Sequence, residues 1–135
     1  MDQRKALYRP SAYEVACLTI HLLLAYEAEK AKGKKNSGFR ISRSTLRKLA
    51  CRRDLRSSFV EEWIYELSNI GWSAFSIDDG FGIIYTSATQ NWVKISAKRL
   101  DGLLHRVSSG DHIEIEKVVL EVESAMIEEE AAEEE

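Results

Sequence analysis

Between Arg40 and Arg56 the chain carries seven basic side chains: Arg40, Arg43, Arg47, Lys48, Arg52, Arg53 and Arg56. Arg and Lys at this density suit one kind of chemistry, charge-assisted hydrogen bonds to anionic oxygens. The planar guanidinium can also grip a phosphate or a guanine edge through two parallel bonds. Ser57 and Ser58 follow at once and add hydroxyl groups. The run turns acidic at Glu61 and Glu62, so an anion-binding surface built from it ends within about one helical turn of Ser58. A well-solvated helical hairpin has the same composition, so the elements that hold these residues must separate the two readings.

The chain's net charge of −3 hides a division. Residues 1–110 hold 18 Lys/Arg against 11 Asp/Glu, a net of +7, and residues 111–135 hold one Lys against 11 Asp/Glu, a net of −10. A basic body with an acidic tail fits polyanion binding by the first and competition for cations by the second. With 44% hydrophobic and 30% charged residues in 135, the chain is long enough for a core in one globular domain. Cys17 and Cys51 stand far apart without CxxC spacing, which points away from a zinc site or a disulfide framework and toward a reducing compartment. The start, MDQRKALYRPS, has no signal-peptide pattern, and the most apolar run, VACLTIHLLLAY, is too short to span a bilayer. A cytoplasmic protein without membrane contact is expected.

Catalysis finds little support. No phosphate-binding, dinucleotide-binding, nucleophile-elbow or HExxH string occurs. Asp78 and Asp79 are adjacent in turn sequence rather than set as an acid/base pair. His112, Glu114 and Glu116 alternate in a solvated acidic segment; His21 reads as a core or interface residue and His105 as a surface one. Trp63, Trp72 and Trp92 read as core residues, which leaves no exposed aromatic row for stacking single-stranded bases. The chain reads as a non-enzyme, with no metal or cofactor expected.

The elements follow from period and punctuation. Ser11-Ala-Tyr-Glu14 has the form of a capping box, and Val15, Leu18, Leu22 and Tyr26 repeat at helical spacing, so a first helix is expected over about 11–32, closed by Gly33. Phe39–Ser42 suits one short strand. Ser42 or Ser44 caps a short second helix with Leu46 and Leu49 inward. After a tight turn, Asp54 or Ser58 opens a third helix with Val60, Trp63, Ile64, Leu67 and Ile70 on its apolar stripe and Gly71 at its end. The period then changes to two, and Phe75–Ile77 and Ile83–Thr86 flank Asp-Asp-Gly-Phe-Gly, a hairpin signal through its Asp-Gly step. Trp92 and Ile95 are expected to pack back on the body. A fourth helix is expected over about 96–107, and an acidic helix from Asp111 with an apolar edge at Ile115, Val118/Val119, Val122 and Met126.

This order resembles the winged helix-turn-helix superfamily. The resemblance rests on STLRKLACRRDLRSSFVEEWIYELSNIGW followed by FSIDDGFGIIYT and covers about 11–86. Ala50 sits where such motifs place a small residue at the close approach of two helices. The resemblance implies a mainly α fold with a small β-hairpin (α+β): a winged helix-like domain over 1–110, with its helix-turn-helix at about 42–71 and its wing at about 72–87, then an acidic helix and tail at 111–135. It implies double-stranded DNA as partner, with Arg52, Arg53, Arg56, Ser57 and Ser58 at the major-groove mouth and Arg43, Arg47 and Lys48 on phosphates. Glu61, Glu62 and Glu66 admit only the first turn of the third helix to the groove, and the acidic tip Asp78-Asp79-Gly80 keeps the wing off phosphate.

Two functions follow. One is a small DNA-binding transcriptional regulator, homodimeric through Leu22, Leu23 and Tyr26 of the first helix and Val118, Val122 and Met126 of the last. The other is a protein-interaction module, an accessory or inhibitor protein such as mobile elements carry, whose acidic tail mimics or competes with nucleic acid on a protein partner. The tail can also screen the chain's own basic turn.

Overall fold

The computed structural model describes residues 8–30 and 34–133. Lys32 and Gly33, expected at the end of the first helix, lie outside the described residues, as do the first seven residues and Glu134–Glu135. The chain divides into two compact units, Met1–Trp92 and Val93–Glu135.

The first unit runs α1 (Ala12–Glu29), β1 (Gly38–Ser42), α2 (Arg43–Ala50), α3 (Ser57–Asn69), β2 (Trp72–Ile77) and β3 (Gly80–Tyr85). As expected, it is mainly helical with a small antiparallel sheet. The three strands lie in the order β1-β3-β2. Ser11 caps α1 with the full capping box, its hydroxyl accepting from the Glu14 N–H and Glu14 accepting from the Ser11 N–H. Ser42, rather than Ser44, caps α2 by accepting from Thr45 N–H at 3.0 Å. Neither expected cap opens α3: its N-cap is Arg56, without a side-chain cap bond, and Ser58 lies inside the helix.

The buried face of α1 differs from the apolar repeat. Val15, Ala16, Thr19, Leu23 and Glu27 are buried, while Leu18 and Leu22 are each 38% exposed and Tyr26 is 54% exposed. The reason is that two inward positions are polar and satisfied. Thr19 Oγ1 donates to Val15 O at 2.7 Å and accepts from Trp63 Nε1 at 3.1 Å. Glu27 accepts from the Asn36 backbone N–H at 2.6 Å, which ties the end of α1 to the approach to β1. A search for apolar spacing alone rotates the face onto Leu18, Leu22 and Tyr26.

Trp63 and Leu67 of α3, Leu46 and Ala50 of α2, Val15 and Ala16 of α1 and Phe81 of β3 have no exposed surface. The Trp63 and Phe81 rings meet edge to face at 5.0 Å, the geometry that aromatic quadrupoles favour. Leu49, Leu55, Val60 and Ile64 are half-buried around this centre. Trp72 packs at the sheet's edge against Phe39 and Tyr85. The hairpin turns at Asp78-Asp79, because Ile77 pairs with Gly80, rather than at the Asp-Gly step. Gly80 instead serves a close approach: a Cβ there would collide with the Ile41 carbonyl oxygen of β1. Trp92 does not join the core. It is 63% exposed, because it follows a 3-10 segment, Thr86–Asn91, that buries none of its residues. Ile95 is likewise exposed.

The second unit holds a 3-10 turn (Ala97–Leu100) that runs into α4 (Asp101–Ser108), then α5 (His112–Glu133). Asp111 accepts from the Glu114 N–H at the start of α5. Leu103 and Val107 of α4 and Glu114 and Val118 of α5 are half-buried where the two helices meet. No described helix is long and apolar enough to cross a membrane.

Candidate nucleic-acid interface

α2 brings Arg43, Arg47 and Lys48 out of the core because Leu46 and Ala50 take its inward positions. Arg47 and Lys48 fall in its last turn, where cations suit the helix dipole. α2 ends at Cys51, the one described non-glycine residue with positive φ (54°). Its left-handed conformation turns the chain sharply, and Arg52 N–H returns to Arg47 O at 3.0 Å. That turn is what places the Arg52–Arg56 segment beside α2. The expectation of a tight turn at CRRD is met by this cap.

Arg53, Arg56, Ser57 and Ser58 are exposed at the entrance to α3, and Arg43 and Lys48 are exposed along α2. Arg47 is half-buried. Arg52 has a different position. Its guanidinium stacks on the Phe59 ring at 4.2 Å, and its Nη2 donates to Pro10 O at 3.2 Å. Its Nε is buried without a partner. Arg52 thus holds the turn against the chain ahead of α1. Arg43 also makes an internal contact, with its guanidinium 5.6 Å from the Phe81 ring centre.

One polar cleft collects Arg9, Arg52, Arg53, Asp54, Arg56 and Phe59. Arg9 was not legible as a member of the basic set. It stands 31 or more residues before that set in sequence, and the bond from Arg52 to the neighbouring Pro10 draws it to the turn. Among the described residues, no ion pair joins a basic side chain of Arg40–Arg56 to a carboxylate. Cations that no described carboxylate neutralises keep their charge available to an external anion.

The cluster has a clear edge. Beyond the first turn of α3 the exposed side chains are Glu61, Glu62, Tyr65, Ser68 and Asn69, with Glu66 half-buried, and none is a cation. The turn of the β2–β3 hairpin exposes Asp78 and Asp79. Of the Arg40–Arg56 run, the exposed cations therefore sit on β1 (Arg40), α2 (Arg43, Lys48) and the turn before α3 (Arg53, Arg56), with Arg9 beside that turn and Asp54 the carboxylate among them.

No protein-family model, curated protein or solved structure matches the chain.

The expected dimer residues have unequal positions. Leu22 is 38% exposed and Tyr26 54%, whereas Leu23 is 4% exposed and is covered within its own chain. Tyr13 and Leu24 are also exposed, at 51% and 49%. Apolar side chains therefore stand on both flanks of the buried face of α1. In the second unit Val118 is half-buried, and Val122 and Met126 are each 52% exposed. Among the described residues no group of three or more His, Cys, Asp or Glu side chains is arranged to hold a metal ion.

Proposed function

We propose that the chain is a winged helix-like DNA-binding protein, a transcriptional regulator that grips duplex DNA with the basic turn between α2 and α3. The carrying observation is the cation cluster of Arg43, Arg47, Lys48, Arg53 and Arg56, which has no carboxylate partner among the described residues. The element order α1-β1-α2-α3-β2-β3 with strands β1-β3-β2 supports the same reading. In it, the first turn of α3 presents Arg56, Ser57 and Ser58 to base edges while α2 lies along the backbone. The hairpin tip stays clear of phosphate because Asp78 and Asp79 repel it. Arg52 acts through the turn it holds rather than as a groove contact.

Titration of labelled duplex at several salt concentrations tests this. Log affinity is expected to fall linearly with log salt, and the slope to flatten by about 0.9 for each phosphate contact removed. Arg53→Ala with Arg56→Ala should weaken binding and flatten the slope. Lys34→Ala with Lys35→Ala, in the loop before β1, should do neither. Equal effects from the two pairs would mean diffuse charge and no interface.

A lone short recognition helix binds weakly, and two-fold symmetry lets two copies read two half-sites. The exposed flank of α1 at Leu22 and Tyr26 supplies an apolar surface for that pairing. Light scattering is expected to give twice the chain's 15.4 kDa. Leu22→Glu with Tyr26→Glu should return it to the single-chain mass, and a single-chain mass for the unaltered protein across the micromolar range rules the dimer out.

A further inference from the structure

The second half of α5 is an apolar stripe set in negative charge. From Val119 to Glu133 every residue is exposed. Yet this stretch carries Val119 at 46% exposure, Val122 and Met126 at 52%, and Ile127 at 67%. With Ile115 (40% exposed) before them, Ile115, Val119, Val122 and Met126 recur at intervals of four, three and four. That is the a/d spacing of a helix that packs lengthwise on another helix. Glu116, Glu123 and Glu130 repeat at seven and run along one edge of the stripe. α4 covers only the start of α5, where Arg106 and Lys117 both lie 3.9 Å from the Glu114 carboxylate.

The charge decides what kind of helix fits. α5 holds eight Glu and one Lys, a net of −7 along a rod of about 33 Å. A second α5 would bring another −7 onto the same length, and a polyanion or anionic lipid surface would be repelled likewise. An apolar stripe on a partner helix, edged by Lys or Arg, would cover the exposed side chains and neutralise the glutamates together. We infer that α5 is a docking helix for a basic amphipathic helix of a protein partner. Ile115, Val119, Val122 and Met126 take the partner's apolar side chains, and Glu116, Glu123 and Glu130 take its cations.

The probe is a labelled synthetic helix with Leu at its a and d positions and Lys at e and g, titrated into the full chain by fluorescence anisotropy at two salt concentrations. Saturable binding is expected. Val119→Ser with Val122→Ser should weaken it about tenfold or more, since two well-covered aliphatic side chains are lost. Glu116→Gln, Glu123→Gln and Glu130→Gln together keep the stripe and should also weaken binding, with a flatter salt dependence. These positions are exposed, so the variants leave the melting of Met1–Trp92 unchanged. Several results overturn the inference. One is no saturation up to about 100 µM. Another is equal binding of a control helix with Ser in place of Leu, which reduces the effect to charge attraction. Self-association abolished by the serine variants makes a second copy the occupant. Binding that appears only after Arg53→Ala with Arg56→Ala makes the chain's own basic segment the occupant.

Discussion

Trp63 is fully buried, and its indole N–H has one partner, the Thr19 hydroxyl. That hydroxyl is itself satisfied by Val15 O within α1. The pair therefore links α1 and α3 through a bond that cannot be exchanged for water. Thr19→Val preserves shape and removes the acceptor, leaving the indole donor unpaired in the core. Such a group costs about 1–3 kcal/mol. Urea unfolding should register that loss as a lower midpoint with an unchanged slope. Thr19→Ser, which keeps the oxygen, should recover much of the difference. A valine variant as stable as the parent would mean that Trp63 finds another acceptor. Arg52 teaches a related lesson. In the sequence it is one of seven similar cations, but its contacts with Phe59 and Pro10 make it a support for the turn.

At the scale of elements, α1 begins with a titratable device. The Glu14 carboxylate accepts from the Ser11 N–H and from the Tyr8 hydroxyl, and these two bonds, the backbone one foremost, hold its pKa below the ordinary value of 4.5. A group depressed in the folded state adds stability that is present above its unfolded pKa and is lost as pH falls through its folded pKa. Glu14→Gln keeps a neutral capping box and removes the titration. The melting temperature of the parent should therefore exceed that of the variant most at neutral pH, and the gap should close in the acid range below Glu14's ordinary value. A gap independent of pH would assign the difference to packing instead. This cap was legible from Ser11 and Glu14, because it is local. β1, the end of α3 before Gly71 and the acidic helix were legible for the same reason, and the α2 cap was narrowed to Ser42 or Ser44. The inward face of α1 was not. Thr19 and Glu27 are polar, and their partners, Trp63 and Asn36, come from other elements. The hairpin is visible in its two β-rich runs, but the Asp-Gly step points one residue past the Asp78-Asp79 turn. Gly80 is there for the passage of β1 and not for the turn, a reason that lies 39 residues away at Ile41. The basic patch was visible as composition, whereas the membership of Arg9 depended on tertiary structure.

Across the whole molecule the decisive quantity is the division of charge, +7 over residues 1–110 and −10 over 111–135. Six of the eleven carboxylates of the acidic segment lie after Met126: Glu128, Glu129, Glu130, Glu133, Glu134 and Glu135. Those of them that are described, Glu128, Glu129, Glu130 and Glu133, are exposed on α5. If the Arg40–Arg56 cations grip DNA as proposed, tethered carboxylates, at a high effective concentration, would compete with its phosphates without strong intrinsic affinity. Truncation after Ala125 is therefore expected to leave the melting temperature nearly unchanged and to tighten duplex binding at low salt. The gain should shrink as ionic strength rises, because salt screens the competing carboxylates and the phosphates alike. Affinities of the full and truncated chains at two salt concentrations decide the matter. Equal affinities at low salt would eliminate the competition and leave the tail to solubility. Weaker binding after truncation would instead mean that the acidic end supports the DNA-bound assembly.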